Sequence, residues 1–155
     1  MKVLVFDTET TGIIPKSYLP LDKMPYIVQL GFMLYDTDKN EIIINFNEII
    51  KIPDQVTIPE GASNVHRIYK KDCDEKGIDI KNAIMQFQKA YDKADLVVAH
   101  NITFDNRMVM LECERIGMEC FLLEEISFCT MKNSTKLTNI IATNYRGTKY
   151  VKSPK

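Results

Sequence analysis

Asp7 and Glu9 stand two residues apart at the end of an apolar, β-branched run, Val3 to Phe6. A strand alternates its side chains, so both carboxylates share one face, that of Val3 and Val5. On an apolar face two like charges repel and lose hydration. Two readings follow: solvated acids at a strand end, or a pair held around a cation. Clustered hard oxygen ligands suit Mg²⁺ or Mn²⁺ rather than zinc. A third acid, Asp105, follows the short apolar run Leu96 to Ala99 and opens a helix within His100-Asn101-Ile102-Thr103-Phe104-Asp105. Thr103 is placed to cap that helix. The helix dipole favours an acid there whatever its function. It does not explain why two separate strand exits both deliver carboxylates, and ligand sites of open α/β sheets collect at the carboxyl ends of strands. If the two strands are neighbours, Asp7, Glu9 and Asp105 converge. Three carboxylates around divalent ions suit phosphodiester cleavage, with two ions about 4 Å apart.

The elements that must position these acids are legible from periodicity and punctuation. Val3 to Phe6, Tyr26 to Tyr35 and Glu41 to Ile50 read as strands. The loop from Gly12 to Pro25 carries three prolines, and Asp36 to Asn40 is a turn of hairpin length. Together they predict a three-strand antiparallel meander. Gly61 to Tyr69 reads as a short helical turn. Ala83, Ile84, Phe87, Ala90, Tyr91 and Ala94 recur at helical spacing, with Asp79 as N-cap. Leu96 to Ala99 reads as a strand buried on both faces. Thr103 to Ile116 is a helix stopped by Gly117. Ile126 to Met131 is expected to be a strand, and Leu137 to Ala142 a short helix. Meander, then helix, strand, helix, strand, predicts a mixed α/β sheet flanked by helices.

A chain of 155 residues with 45% hydrophobic and 26% charged residues needs no disulfide staple and is not dominated by disorder. No apolar run approaches the roughly 18 residues that span a bilayer, so no membrane role is expected. The N-terminus reaches an acid too soon for a signal peptide, and Cys73, Cys113, Cys120 and Cys129 form no C-x-x-C pair. Free thiols in the cytoplasm or another intracellular compartment such as the nucleus, without export, are the expectation. Net charge is −1, but unevenly spread. From Met131 onward there are Lys132, Lys136, Arg146, Lys149, Lys152 and Lys155 and no acid, whereas the first 130 residues hold 14 basic and 21 acidic groups, a net −7. A block basic at one end reads either as a polyanion contact or as a solvated terminus.

Phe6-Asp7-Thr8-Glu9-Thr10-Thr11-Gly12 resembles the first motif of the DEDD (DnaQ-like) 3′–5′ exonucleases, whose fold is ribonuclease H-like. Asn101-Ile102-Thr103-Phe104-Asp105 resembles their second motif, and Ser63-Asn64-Val65-His66-Arg67-Ile68 the V-H-x-I segment of proofreading and repair members. Ile27 to Gly31 and Phe128-Cys129-Thr130 resemble further stretches, so the likeness runs over nearly the whole chain. It implies one exonuclease-like domain over residues 1–155 that removes nucleoside monophosphates from single-stranded 3′ ends of DNA, in the manner of a DNA polymerase III epsilon subunit. RNA is the alternative substrate, and a homodimer or a polymerase the implied partner. Two Mg²⁺ or Mn²⁺ ions are implied. Asp7 would bridge both, Glu9 would bind the first and Asp105 the second. The backbone of Thr10 and Thr11 would meet the terminal sugar, Phe104 would pack beside the terminal bases, Asn101 would orient the second motif, and His66 would line the nucleotide pocket. Gln29 is expected to satisfy backbone groups inside the sheet, and His100 to be structural.

The family's third motif, H-x-x-x-x-D or Y-x-x-x-D, supplies a fourth acid and a general base. No Asp or Glu follows Glu125 here and no His follows His100. The resemblance therefore implies a chain incomplete at its C-terminus, a partner that completes the site, or a domain that binds 3′ ends without cutting. Exposed apolar surface near the last sheet strand is expected as well.

Overall fold

The computed structural model describes residues 1–17, 19–123 and 125–154; Lys155 of the basic block lies outside them. Five strands form the main sheet: β1 (Lys2–Thr10), β2 (Ile27–Asp36), β3 (Glu41–Ile49), β4 (Leu96–Ala99) and β5 (Ser127–Cys129). Their order is β3-β2-β1-β4-β5. The predicted meander is present, because β1 pairs antiparallel with β2 and β2 with β3. β4 joins β1 in parallel and β5 joins β4 in parallel, so the sheet is mixed.

Helices α3 (Ile80–Tyr91) and α4 (Ile102–Arg115) cover one face. Leu4, Phe6, Leu30, Phe32 and Leu34 point into that layer and meet Ile84, Phe87, Met108 and Val109. Phe87 is the hub, with its ring 4.9 Å from Phe6 and 5.4 Å from Phe32. Fully burying each such side chain contributes about 1.5–3 kcal/mol. As predicted, Asp79 caps α3, its carboxylate accepting from Asn82 N at 3.2 Å.

The opposite face is far less covered. Val5 is 47% exposed and Phe128 41%, and the register places Val5, Val98 and Phe128 side by side on it. This is the apolar surface expected beside the last strand. It corrects two expectations: the strand carrying the acids is not in an apolar interior on that side, and β4 is buried on one face only, with Val98 half-buried.

The remaining differences have local causes. Helix α1 (Glu60–His66) is the predicted turn, but α2 (Lys70–Lys76) was not anticipated. It has no apolar periodicity; Asp72 caps it at the Tyr69 N–H (3.0 Å), and Lys76 pairs with Asp72 at 3.0 Å. The strand expected over Ile126 to Met131 is shorter, because Thr130 already begins α5 (Thr130–Thr138). The helix expected over Leu137 to Ala142 does not form. Asn139 takes a left-handed backbone (φ 45°) and ends α5, and the β-branched Ile140 and Ile141 enter a hairpin of β6 (Ile140–Thr143) and β7 (Lys149–Lys152). Among the described residues no helix is long and apolar enough to cross a membrane.

Candidate active site

Asp7 and Glu9 do share a face, as strand alternation requires. It is the open face, and each acid has a defined neighbour across the sheet: Asp7 stands beside Gly31 and then Asn47, Glu9 beside Gln29 and then Ile49. Val5, Asp7, Glu9, Gln29, Met33 and Asn47 line a groove of about 480 Å³. Gln29 does not serve the backbone as expected; its Nε2 donates to Asn47 Oδ1 at 2.9 Å. Partial desolvation raises the Asp7 pKa even though the carboxylate reaches the surface. The Glu9 pKa is raised first by desolvation and then by the Asp7 charge.

Asp105 is 2% exposed. One of its oxygens, Oδ1, accepts from the Thr8 backbone N–H at 3.0 Å and from the Thr8 hydroxyl at 2.8 Å. Thr8 is the residue between Asp7 and Glu9. Its N–H is available because the β1–β4 ladder ends at Val5 and Val98. Burial drives the Asp105 pKa up to about 6; the Thr8 bonds oppose the rise and the Asp7 charge adds to it. The helix that carries Asp105 starts differently from prediction. Thr103 is not its cap. The N-cap is Asn101, in a left-handed backbone (φ 64°) that Asn tolerates better than most residues, and Asn101 O accepts from Phe104 N at 2.8 Å. The Thr103 hydroxyl instead accepts from Lys132 Nζ at 3.4 Å.

Both histidines stand at the carboxylates. His66 ends α1, and its charged form would lower the Glu9 pKa. Its Nδ1 accepts from Ile68 N at 3.0 Å, which places the proton on Nε2, a buried atom without a partner among the described residues. His100 was expected to be structural. It follows directly on β4, the parallel neighbour of β1, and its charged form would lower the Asp7 pKa. Its Nδ1 lies 3.1 Å from Thr130 Oγ1. Only the parallel register reveals this neighbour, so the sequence alone carried no signal for it.

Thr10 and Thr11 are buried and engaged. The Thr10 hydroxyl donates to Gly12 O at 2.8 Å, and the Thr11 hydroxyl accepts from Tyr26 N at 3.0 Å. The Thr11 N–H donates to Tyr26 O, so of its backbone only the carbonyl remains for a ligand. Phe104 packs against the core and also lines a recess of about 960 Å³ with Asn101, Arg107 and Lys132.

A second buried acid on α4 was missed. Glu112, also 2% exposed, accepts through Oε1 from Ile27 N at 3.0 Å and from Arg115 Nη1 at 2.7 Å. Arg115 Nη2 donates to the carbonyls of Leu21, Met24 and Pro25 at 2.9–3.0 Å, and its guanidinium lies 3.7 Å over the Tyr26 ring. The pair clamps the proline-rich loop that follows Thr11. A Glu and Arg three apart on a helix read as an ordinary surface pair; the signal that could have found them was the place of Glu112 between the apolar Leu111 and Cys113.

Whether a divalent cation fits rests on the donor set. Asp7, Glu9 and Asp105 offer only carboxylate oxygens, and Asp105 keeps Oδ2 free of hydrogen bonds among the described residues. Among the described residues Asp105 has no basic partner to offset its burial, unlike Glu112. A hard cation suits that deficit. Among the described residues the three acids are not gathered into a ready-made cluster of metal ligands.

The fold is matched in known proteins. An E. coli exonuclease I structure in complex with a dT13 oligonucleotide superposes with a TM-score of 0.72 at 14% identity, over 97% of this chain and 34% of that one. A product-bound exonuclease I gives 0.71 at 14% identity, over 97% and 36%. The apo enzyme gives 0.71 at 15% identity, over 97% and 35%. These likenesses show the fold, and the chain spans about a third of the length of those proteins. No curated protein matches the chain in sequence. The RNase T exonuclease family model matches residues 4–150, and the chain therefore belongs to that family of DEDD exonucleases, with their ribonuclease H-like fold.

Proposed function

We propose that this exonuclease-family chain forms a single domain that removes nucleoside monophosphates from the 3′ end of single-stranded DNA, using Mg²⁺ or Mn²⁺, and that it works inside the cell where its free thiols stay reduced. The observation that carries the proposal is Asp105: a buried carboxylate, without a basic partner among the described residues, tied to Thr8, the residue between two further carboxylates. Asp7 would bridge two ions, Glu9 would hold the first and Asp105 the second. Bound there, the ions supply Lewis-acid stabilisation of the phosphodiester and lower the pKa of a water molecule.

The chain's own residues do the rest. Thr8 holds Asp105 in place through two bonds to one oxygen and leaves the other for a ligand. Asn101 sets the start of α4 and so the direction of Asp105. Phe104 offers a ring beside the recess to the terminal bases, and Thr10 and Thr11 hold the turn that faces the terminal sugar. His66 lines the nucleotide pocket and leaves its buried Nε2 without a partner among the described residues. The uncovered face at Val5 and Phe128 is where a second copy or a polymerase partner would sit. The choice of DNA leans on exonuclease I bound to an oligonucleotide of dT. RNA is the second reading, since no residue of the site is committed to reading a 2′-hydroxyl.

Incubation of a 5′-labelled oligonucleotide with Mg²⁺ or Mn²⁺ tests the proposal. The expected result is stepwise shortening from the 3′ end, falling at least about 100-fold in the Asp7→Ala variant. Shortening that survives Asp7→Ala contradicts it. A strand bound in Ca²⁺ but left intact in Mg²⁺ and Mn²⁺ supports a 3′-end-binding domain instead.

A further inference from the structure

The proposed site leaves the basic C-terminal block without a task. Five of its cations lie among the described residues, on α5 and the β6–β7 hairpin, and no acidic side chain accompanies them. The fold joins this block to the site. Lys132, in the first turn of α5, reaches the Thr103 hydroxyl and lines the recess of Asn101, Phe104 and Arg107. Farther out, Thr135 Oγ1 donates to Ser153 Oγ at 3.1 Å and fastens β7 to α5.

The hairpin ends in a well-tied tip. Asn144 Oδ1 accepts from Arg146 N and Thr148 N, both at 2.9 Å, and Gly147 supplies the positive φ of 78° that closes the turn. The tip presents Tyr145, 90% exposed, with the Arg146 guanidinium 5.2 Å from its ring. An ordered turn that holds an aromatic ring and a cation out in solvent gains nothing for the core. A base has a face to stack on such a ring, whatever its identity, and a phosphate to meet the cation. The hairpin is also open on both sides, with Ile140, Ile141, Tyr150 and Val151 each 44–62% exposed, and an isolated two-stranded hairpin is marginal in water. The remainder of the chain carries a net −7 and repels a polyanion.

We propose that α5 and the β6–β7 hairpin form an arm that holds the single strand upstream of the terminus engaged at the carboxylates. Lys132 lies nearest the site, Lys149 and Lys152 along β7, and Tyr145 with Arg146 at the far end. Phosphates meet the cations and a base stacks on Tyr145. The inference rests on the proposed function for which end of the strand reaches Asp7, not for the contact itself.

Fluorescence anisotropy in Ca²⁺, with 5′-labelled oligothymidylates of about 4 and about 16 nucleotides, tests it on the whole chain. The wild-type chain is expected to bind the long strand more tightly. The Arg146→Ala/Lys149→Ala/Lys152→Ala variant should lose about tenfold for the long strand, with a salt slope shallower by about 2, and keep its affinity for the short one. Tyr145→Ala should weaken the long strand and Tyr145→Phe should not. These side chains are exposed, and an unchanged circular dichroism melt verifies folding. A folded triple variant with unchanged long-strand affinity and slope overturns the arm, as does an equal loss for both lengths. Loss of cleavage in the wild-type chain with the length effect intact would remove the exonuclease reading and keep the arm; cleavage without a length effect does the reverse.

Discussion

Helix α4 carries two buried carboxylates seven residues apart, each 2% exposed, and they are treated in opposite ways. Glu112 is compensated within the chain. Arg115 lies against it at 2.7 Å, Ile27 N donates to it, and burial raises its pKa against that attraction. Asp105 receives two neutral donors from Thr8, no basic side chain among the described residues, and the added repulsion of Asp7. One acid completes a structural clamp on the loop after Thr11. The other is a charge deficit left at the end of the sheet, near enough to Asp7 to feel its charge. The comparison separates a buried charge that holds the fold from one whose partner comes from outside the chain.

The largest expected effect comes from breaking the compensated pair. Glu112→Ala leaves the Arg115 guanidinium buried without its carboxylate and should cost roughly 3–5 kcal/mol in urea unfolding. Stability equal to wild type would mean that the three loop carbonyls alone satisfy Arg115.

The opposite sign is expected at the other end of the helix. Asp105→Asn keeps an oxygen for both Thr8 bonds and removes the uncompensated charge. A pKa of about 6 against an ordinary 3.8 corresponds to at most about 3 kcal/mol. Cation-free Asp105→Asn should therefore be more stable than wild type at pH 8, by up to about that amount, while losing cleavage. A destabilised variant would show that the ionised carboxylate is itself a net structural asset.

A smaller effect follows from the same shift. An acid with a raised folded pKa binds more protons folded than unfolded, so its contribution to stability falls as pH rises through about 4 to about 6. Without divalent cation, the difference between Asp105→Asn and wild type should thus be small at pH 4 and full above pH 7. Parallel pH profiles for the two proteins would assign the pH dependence to other groups.

The same contrast explains what could be read without coordinates. Asp7 and Glu9 were legible because strand alternation alone puts them on one face, and Asp105 because the helix dipole does not explain why two separate strand exits both deliver carboxylates. Asp79 and the spacing around Phe87 disclosed α3 for equally local reasons. What escaped depends on distant pairing. His100 comes near enough to Asp7 to act on its charge only because β4 runs parallel beside β1, and Thr8 is freed for Asp105 only because the β1–β4 ladder stops short. Arg115 finds its carbonyls some 90 residues away in sequence. Helix α2 lacks an apolar stripe, and Ile140 and Ile141 fit the helical spacing of Leu137 until Asn139 turns the chain into a hairpin.

Calorimetric titration of Mn²⁺ into wild type, Asp7→Asn, Asp105→Asn and Glu112→Gln is the most direct measurement of the central distinction. Wild type is expected to bind Mn²⁺, either aspartate variant at least about tenfold more weakly, and folded Glu112→Gln as well as wild type. Equal Mn²⁺ affinity in wild type, Asp7→Asn and Asp105→Asn would contradict that distinction.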